Sequence, residues 1–294
     1  MNDPDPFPKT LRSAVGVQPP FALVFAHGTA LAVRRIGQGV PVICLHATGH
    51  GGRDYEAFSE AIAGRGFEVI TVDWPGHGAS PSEATDRTAS AARYTDLLVD
   101  LVPLLCGNAR PILIGNSIGG AAALSYGLRD PDKISALILC NPGGLAPLNG
   151  LARAVIGAMV RFFTAGEHRA RWFRLVFAAY YCLVLPGKNA RAQRARIVAA
   201  GPEMAPLLKQ AWDSFRQPDA DLSEKASALK VPVLFAWAKQ DQIVAWSRSR
   251  PAVLAIPGAQ VQMFHGGHAA FLEDPEAFSR AFLEFVRNSQ ETGT

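Results

Sequence analysis

The chain has 294 residues and a net charge of +4, with 49% hydrophobic and 18% charged residues. This composition predicts one globular chain with a large buried core. The charge is modest, and the arginines are not interleaved with aromatic residues in a nucleic-acid motif, so nucleic acid is not an expected partner.

The sequence does not predict a secretory signal or a membrane-spanning segment. The start, MNDPDPFPKTLRS, has no apolar stretch behind a basic segment, so no secretory signal is predicted and the expected location is the cytoplasm. The longest apolar run, Trp172–Pro186, contains Arg174 and is shorter than the ~20 residues of a membrane helix, so no membrane span is predicted. The proline-rich first 20 residues predict an irregular arm.

Short apolar, β-branched runs alternate with helix-like segments, which predicts parallel strands joined by crossover helices. The eight predicted strands are Phe21–Phe25, Ala30–Arg35, Val40–Leu45, Phe67–Val72, Pro111–Ile114, Ser135–Cys140, Val231–Trp237 and Val261–Phe264. Helices are predicted at Asp54–Gly64, Ser90–Leu105, Ile118–Leu128 and Pro275–Arg287. The interval 143–221 has helix-like apolar patches and no clear strand. We therefore predict an α/β fold with a core formed by residues 1–142 and 222–294 and an inserted helical cap formed by residues 143–221.

The segment Gly115-Asn116-Ser117-Ile118-Gly119 is a G-x-S-x-G motif at a predicted turn from strand to helix. Such a tight turn needs glycine for steric room and lifts the serine hydroxyl off the sheet. The motif therefore predicts Ser117 as a nucleophile. The alternative is a glycine-rich turn whose serine only caps the helix.

A serine nucleophile needs a base, and a neutral imidazole serves near neutral pH. His268 follows two glycines after the last predicted strand, in the chain order Ser, acid, His that this motif favours. It is the predicted base. His265, at the end of the strand, is the competing candidate.

A carboxylate must hold the imidazole in one tautomer. Asp241 follows a predicted strand and precedes His268, so it is the predicted acid, and an ordinary solvated carboxylate is the alternative. The other common position for the acid holds Asn141, which cannot carry a charge. Asp73 remains as a candidate, although its Asp-x-x-Gly-x-Gly context is more typical of a turn beneath the site.

Two backbone amides should bind the oxyanion: that of Ile118, after the nucleophile, and that of Thr48, in the loop that begins at His46. His46 and His50 are four residues apart, but the glycines beside them argue against a helix, so no metal site is predicted. Four isolated cysteines in apolar runs predict reduced core residues. No phosphate-binding glycine motif follows a strand, so no nucleotide cofactor is predicted.

In combination these motifs resemble those of the α/β-hydrolase superfamily, from about Phe21 to Val286. The stretch Gly115–Pro147, with its GNSxGG and PGGL segments, is similar to the family that hydrolyses carbon–carbon bonds in ring-cleavage products of aromatic degradation. The resemblance implies a Ser-His-Asp hydrolase with a covalent acyl-enzyme. Ala269 stands where that narrower family usually has tryptophan, so the expected substrates are carboxylic esters. Carbon–carbon hydrolysis and a non-catalytic ligand-binding protein are the alternatives.

The predicted cap carries nine Arg and two Lys against two Glu and three Asp, beside several aromatic residues. This predicts a partly apolar small-molecule substrate, with a carboxylate as one option. The alternative is solvated arginines next to core aromatics. Cleavage of a carbon–carbon bond in a dienoate would require cap arginines such as Arg171, Arg174 or Arg191 to face Ser117.

Overall fold

The computed structural model describes residues 21–84 and 87–291, and an eight-stranded sheet organises this part of the chain. The predicted arm lies outside the described residues. The strands are β1 (Ala22–Ala26), β2 (Thr29–Gly37), β3 (Val40–Leu45), β4 (Phe67–Val72), β5 (Ile112–Asn116), β6 (Ala136–Cys140), β7 (Val233–Ala238) and β8 (Gln260–Phe264). They lie in the order β1-β2-β4-β3-β5-β6-β7-β8. β2 runs antiparallel to β1 and β4, and the other neighbouring pairs are parallel. The predicted α/β sheet is therefore confirmed.

Helices cover both faces of this sheet. They are α1 (Glu56–Ala63), α2 (Ala91–Cys106), α3 (Ile118–Arg129), α4 (Gly150–Glu167), α5 (Phe173–Val184), α6 (Arg191–Ala199), α7 (Gly201–Ser214), α8 (Trp246–Leu254), α9 (Ala270–Glu273) and α10 (Pro275–Glu291). The four predicted helices are α1, α2, α3 and α10. α8 was missed because Pro251 interrupts a segment with few apolar residues, and α9 because it is a single turn.

The strands β3 to β7 are buried on both sides, which is why they are continuous apolar runs in the sequence. In β3, Ile43 packs into the core beneath α2 and α3, and its neighbour Val42 packs into the opposite core. That second core includes Phe58 of α1 and Phe282 of α10, whose rings lie 5.2 Å apart edge to face. The sheet is thereby fixed between two helical layers and can position the loops at its ends.

Local signals set the limits of α2. The Ser90 side chain accepts a hydrogen bond from the Arg93 amide at 3.0 Å and so caps the first turn. At the other end, Gly107 has φ +56°, a conformation that glycine adopts without strain. The helix therefore begins and ends as the sequence predicts.

Helices α4–α7 are inserted between β6 and β7, so the interval predicted to be helical is helical. The cysteine prediction holds for Cys44 and Cys140, which are buried, but it is wrong for Cys182, which is exposed on α5. Among the described helices, none combines the length and apolarity needed to cross a membrane.

Candidate active site

The predicted site residues lie where parallel strands end. Ser117 follows β5, Asn141 follows β6, and Asp241 and His268 stand in the loops after β7 and β8. Because β5, β6, β7 and β8 are consecutive parallel neighbours, these loops share one edge of the sheet. This order brings together residues that are far apart in the sequence.

The turn at Ser117 is strained and is possible because glycines surround it. Ser117 has φ +55° and ψ −117°, which is a rare conformation for a residue with a side chain. A Cβ on Gly115 would lie 2.5 Å from the Gly119 carbonyl oxygen, and one on Gly119 would lie 2.5 Å from that of Leu45. The glycines of the motif therefore allow α3 to start directly against the sheet, with Ser117 at the edge of the cavity described below.

His268 and Asp241 form a buried pair. The Nδ1 atom of His268 lies 2.8 Å from Oδ2 of Asp241, and both side chains are almost completely excluded from solvent. The other carboxylate oxygen, Oδ1, accepts hydrogen bonds from the amides of Ile243 at 2.7 Å and Val244 at 3.2 Å. These contacts favour the tautomer that donates from Nδ1 and leaves Nε2 of His268 as an acceptor.

Asn141 contributes to the same pair, which the sequence reasoning missed. Its Nδ2 donates to Oδ2 of Asp241 at 2.6 Å, and its Oδ1 accepts from the Ala238 amide at 3.2 Å. Asn141 thus stands at the alternative position for the acid and supports the carboxylate that follows the next strand. No motif in the sequence links Asn141 to Asp241, which lies 100 positions further on.

Asp73, the competing acid, is engaged elsewhere. Its carboxylate accepts hydrogen bonds from the Gly52 amide at 2.7 Å, the Ala79 amide at 3.0 Å and the Arg34 guanidinium at 3.0 Å. Burial alone would raise the pKa of Asp73, but His46, the two amides and Arg34 together hold that pKa below its usual value. The carboxylate therefore braces the loops below the site, as its turn-like sequence context predicts.

Buried histidines fix the loop after β3. His46 Nδ1 donates to the Ala47 carbonyl at 2.7 Å, and its Nε2 accepts from the Trp74 amide at 2.9 Å. His77 makes the same kinds of hydrogen bond. Its Nδ1 donates to the Pro75 carbonyl at 2.9 Å, and its Nε2 accepts from the Gly49 amide at 3.0 Å. Burial lowers the pKa of His46 to about 4 and that of His77 to about 3. Across the described residues, no three His, Cys, Asp or Glu side chains are arranged to hold a metal ion.

A second histidine–carboxylate pair lies in the same loop and was also missed. His50 Nδ1 makes a short contact with Oδ2 of Asp54, and both side chains are buried. The pair forms although His50 precedes the 3₁₀ turn Gly52–Tyr55 and lies outside any α-helix. His50 faces the cavity, whereas His265, the competing base in the sequence, is exposed and is not part of its wall.

One cavity of about 410 Å³ joins these elements, a volume within the ~300–1,000 Å³ typical of ligand pockets. Ser117, His268, His50, Thr48 and Ile118 line it. The Thr48 hydroxyl is buried and has no hydrogen-bond partner among the described residues. Aliphatic and aromatic side chains from the inserted helices form much of the wall: Ala152, Val155, Ile156, Tyr180, Tyr181, Val184, Leu208, Ala211 and Trp212.

Charge in the cavity is sparse. Of the described residues that line it, Arg248 is the one Lys or Arg and Asp221 is the one carboxylate. Arg171, Arg174 and Arg191 are exposed and are not part of the wall. These arginines of the inserted helices therefore face solvent. This agrees with the alternative interpretation of the sequence, in which the arginines are solvated and lie next to core aromatics.

The loop that carries His268 is linked to the inserted helices. The His268 amide donates to the Val184 carbonyl at 2.7 Å, and the Glu273 carboxylate accepts from the amides of Gly187 and Gly267. Burial raises the pKa of Glu273, although the two amides, His268 and Arg194 oppose that effect. The position of His268 therefore depends on the end of α5.

The sheet order, the strained serine turn and the buried His–Asp pair define a hydrolase of the α/β class. The chain belongs to the α/β hydrolase family, whose sequence model matches residues 23–281. A 2-hydroxy-6-oxo-6-phenylhexa-2,4-dienoate hydrolase of Burkholderia cepacia is 29% identical over 269 residues, which cover 86% of this chain and 89% of that protein. A 2-hydroxy-6-oxononadienedioate/2-hydroxy-6-oxononatrienedioate hydrolase of Comamonas testosteroni is 28% identical, with the same coverage of each chain.

Solved structures show the same fold at lower identity. An esterase of Thermogutta terrifontis has a TM-score of 0.75 at 21% identity, covering 92% of this chain and 98% of that one. The enol-lactonase of Burkholderia xenovorans LB400 has a TM-score of 0.74 at 20% identity, covering 90% and 100%. These likenesses establish the fold.

Proposed function

We propose that this chain hydrolyses carboxylic esters of partly apolar small molecules through a Ser-His-Asp triad. The observation that carries the proposal is the convergence of Ser117 and His268 on one largely apolar cavity, with Asp241 bonded to the far nitrogen of the imidazole. The family assignment agrees with it.

In the proposed reaction, Ser117 Oγ attacks the ester carbonyl while His268 Nε2 takes its proton. Negative charge moves to the carbonyl oxygen, where the amides of Ile118 and Thr48 stabilise it. The intermediate collapses to an acyl-enzyme, and the alcohol leaves with the proton from His268. A water molecule, deprotonated by His268, then releases the acid. Asp241 remains charged throughout and stabilises the imidazolium.

The inserted helices, residues 143–221, serve in this proposal as a cap that selects the substrate. Tyr180, Tyr181, Leu208 and Trp212 line the cavity and favour an apolar acyl or alcohol group. A carboxylate on the substrate would meet Arg248, which lies outside the cap.

Carbon–carbon bond hydrolysis is the second candidate, and the names of the two relatives described above favour it. This reaction uses the same nucleophile but must also place a proton on the leaving carbon and bind the dienoate carboxylate. Arg171, Arg174 and Arg191 face solvent and do not line the cavity, which argues against binding of the dienoate carboxylate by cap arginines. Ala269 is buried and is not part of the cavity wall.

A substrate panel separates the two reactions. Chromogenic esters of short and medium acids are compared with a 2-hydroxy-6-oxo-dienoate, whose bleaching reports cleavage. We expect the best ester to have the higher kcat/KM. A dienoate preference of about tenfold or more, equivalent to about 1.4 kcal/mol of transition-state stabilisation, would overturn the ester assignment.

Labelling by a fluorophosphonate tests whether the chain is an enzyme at all, because the reagent reacts with an activated serine. The wild-type chain should be labelled and Ser117→Ala should not. His268→Gln should also lose labelling, whereas the matched exposed variant His265→Gln should keep it. An unlabelled wild-type chain with no ester turnover would favour a ligand-binding protein.

A further inference from the structure

Helix α5 has an apolar outer face that nothing in the described chain covers. Leu175 is 78% exposed, Leu183 is 60% exposed and Trp172, directly before the helix, is 50% exposed. The remaining exposed positions of the same face are also apolar or weakly polar: Val176, Ala179 and Cys182. At about 100° per residue these six positions lie within an arc of about 120°. They form a continuous stripe, which we call the α5 stripe.

The opposite face of α5 is buried. Phe173 and Phe177 pack against the inserted helices, and Tyr181 and Val184 line the cavity. Arg174 in the first turn is the one charged residue of α5, and a helix this apolar is typically covered on all sides. The α5 stripe therefore has the character of a contact surface.

Positive charge surrounds the stripe. Between Arg169 and Pro202 the chain has six Arg and one Lys and contains neither Asp nor Glu. Arg171 precedes α5, Arg174 lies in its first turn, and Lys188 and Arg191 follow its end; all four are exposed. Among the described residues none of these four makes an ion pair with an acid, in contrast to Arg169, which lies 3.5 Å from Glu203. The surface thus combines exposed apolar groups with uncompensated cations.

From this combination we propose that the α5 stripe docks on the surface of an anionic phospholipid bilayer. Apolar side chains on an interfacial helix enter the boundary between headgroups and acyl chains, and flanking Lys and Arg bind anionic headgroups. A second copy of this chain would bring the same four cations together, which disfavours the stripe as a dimer interface. Because Tyr181 and Val184 on the inner face of α5 line the cavity, docking places the cavity about one helix diameter, ~10 Å, from the lipid.

The test uses sedimentation of the full chain with vesicles. Wild-type protein should bind phosphatidylcholine vesicles that contain phosphatidylglycerol, bind pure phosphatidylcholine vesicles more weakly, and be released by high salt. Leu175→Gln with Leu183→Gln should weaken binding by roughly tenfold or more, and so should Arg171→Gln with Arg174→Gln. Leu254→Gln is the matched control, since Leu254 on α8 is also 60% exposed and should be dispensable.

Trp172 reports the contact directly. Its emission should shift to the blue on addition of the anionic vesicles, and Trp172→Phe should remove that shift while the protein still sediments. Circular dichroism should be unchanged in the Leu175/Leu183 variant, because both side chains are largely exposed.

Three results would overturn the proposal. The first is no sedimentation with the anionic vesicles. The second is equal loss of binding in Leu254→Gln and in the Leu175/Leu183 variant. The third is a wild-type dimer by light scattering that becomes monomeric in the Leu175/Leu183 variant, which would assign the stripe to a second copy of the chain.

Discussion

Acidification should destabilise this fold through two buried histidines, His46 and His77. Burial holds both rings neutral, with pKa values of about 4 for His46 and about 3 for His77, whereas an unfolded histidine titrates near 6.5. The unfolded chain therefore gains protons below about pH 6.5 that the folded chain does not accept. This stabilisation is present above about pH 6.5 and is lost as the pH falls toward the folded-state values. Between about pH 7 and pH 5 the loss is about 2 kcal/mol for each histidine.

The contacts of the rings explain why protonation is resisted. In each ring Nδ1 already donates to a carbonyl, and Nε2 accepts from the amide of Trp74 or Gly49. A proton on Nε2 would break that hydrogen bond, because the Nε2–H and the amide N–H would then point at each other in a buried site with no acceptor between them. Glutamine at position 77 can still accept a hydrogen bond through its side-chain oxygen, but its side chain does not ionise.

Urea unfolding, followed by circular dichroism at about pH 7 and pH 5, measures the effect. Carboxylates also contribute to the pH dependence, so the informative quantity is the difference between wild type and His77→Gln. The pH-dependent loss of stability should be about 2 kcal/mol smaller in His77→Gln than in the wild type. The same loss in wild type and His77→Gln would refute a neutral, buried His77.

Three further predictions concern the site. Asp241→Asn should lower kcat by about 10⁴ with little change in KM, and a larger loss from Asp73→Asn in a folded protein would mean that the acid is misassigned. His50→Gln should keep fluorophosphonate labelling, because the proposed base is the other histidine of the cavity; lost labelling in a folded variant would make His50 part of the activating machinery. Gly119→Ala should cost more than about 3 kcal/mol in urea unfolding, since its Cβ would lie 2.5 Å from a backbone oxygen. Gly157→Ala in α4, where a Cβ meets nothing within 4 Å, should not destabilise, and equal losses in the two glycine variants would contradict the steric reasoning.

The sequence predicts the central strands β3 to β7 well because they are buried on both faces and therefore appear as short, continuous apolar runs. It locates Ser117 for a related reason: the turn at this residue needs glycines at fixed positions, and a local steric requirement leaves a local pattern. The prediction of His268 and Asp241 rests on their order along the chain and on the strands before them. For the strands and for Ser117, the physical cause lies within a few residues of the signal.

Contacts set by the sheet order are beyond such reasoning. Asn141 contacts Asp241 because β6 and β7 are neighbouring strands, and no residue near either of them in the sequence indicates this contact. The direction of the arginines on the inserted helices is equally hidden, because composition gives the excess charge but does not say which side of each helix is covered. Arg171 and Arg174 could be counted from the sequence, yet their distance from the cavity could not.

His268 is coupled to the inserted helices by hydrogen bonds, and this coupling affects how variants of those helices should be interpreted. The His268 amide is bonded to the Val184 carbonyl at the end of α5, and Glu273 accepts from the amides of Gly187 and Gly267 on the two sides of that contact. A Cβ on Gly267 would lie 2.3 Å from the Val184 oxygen, so these backbones are already in close contact. A displacement at the end of α5 must therefore move the histidine or break this hydrogen bond. Variants at the C-terminal end of α5 can change turnover without touching substrate, so a loss of activity there assigns no residue to the chemistry unless the geometry of His268 is preserved.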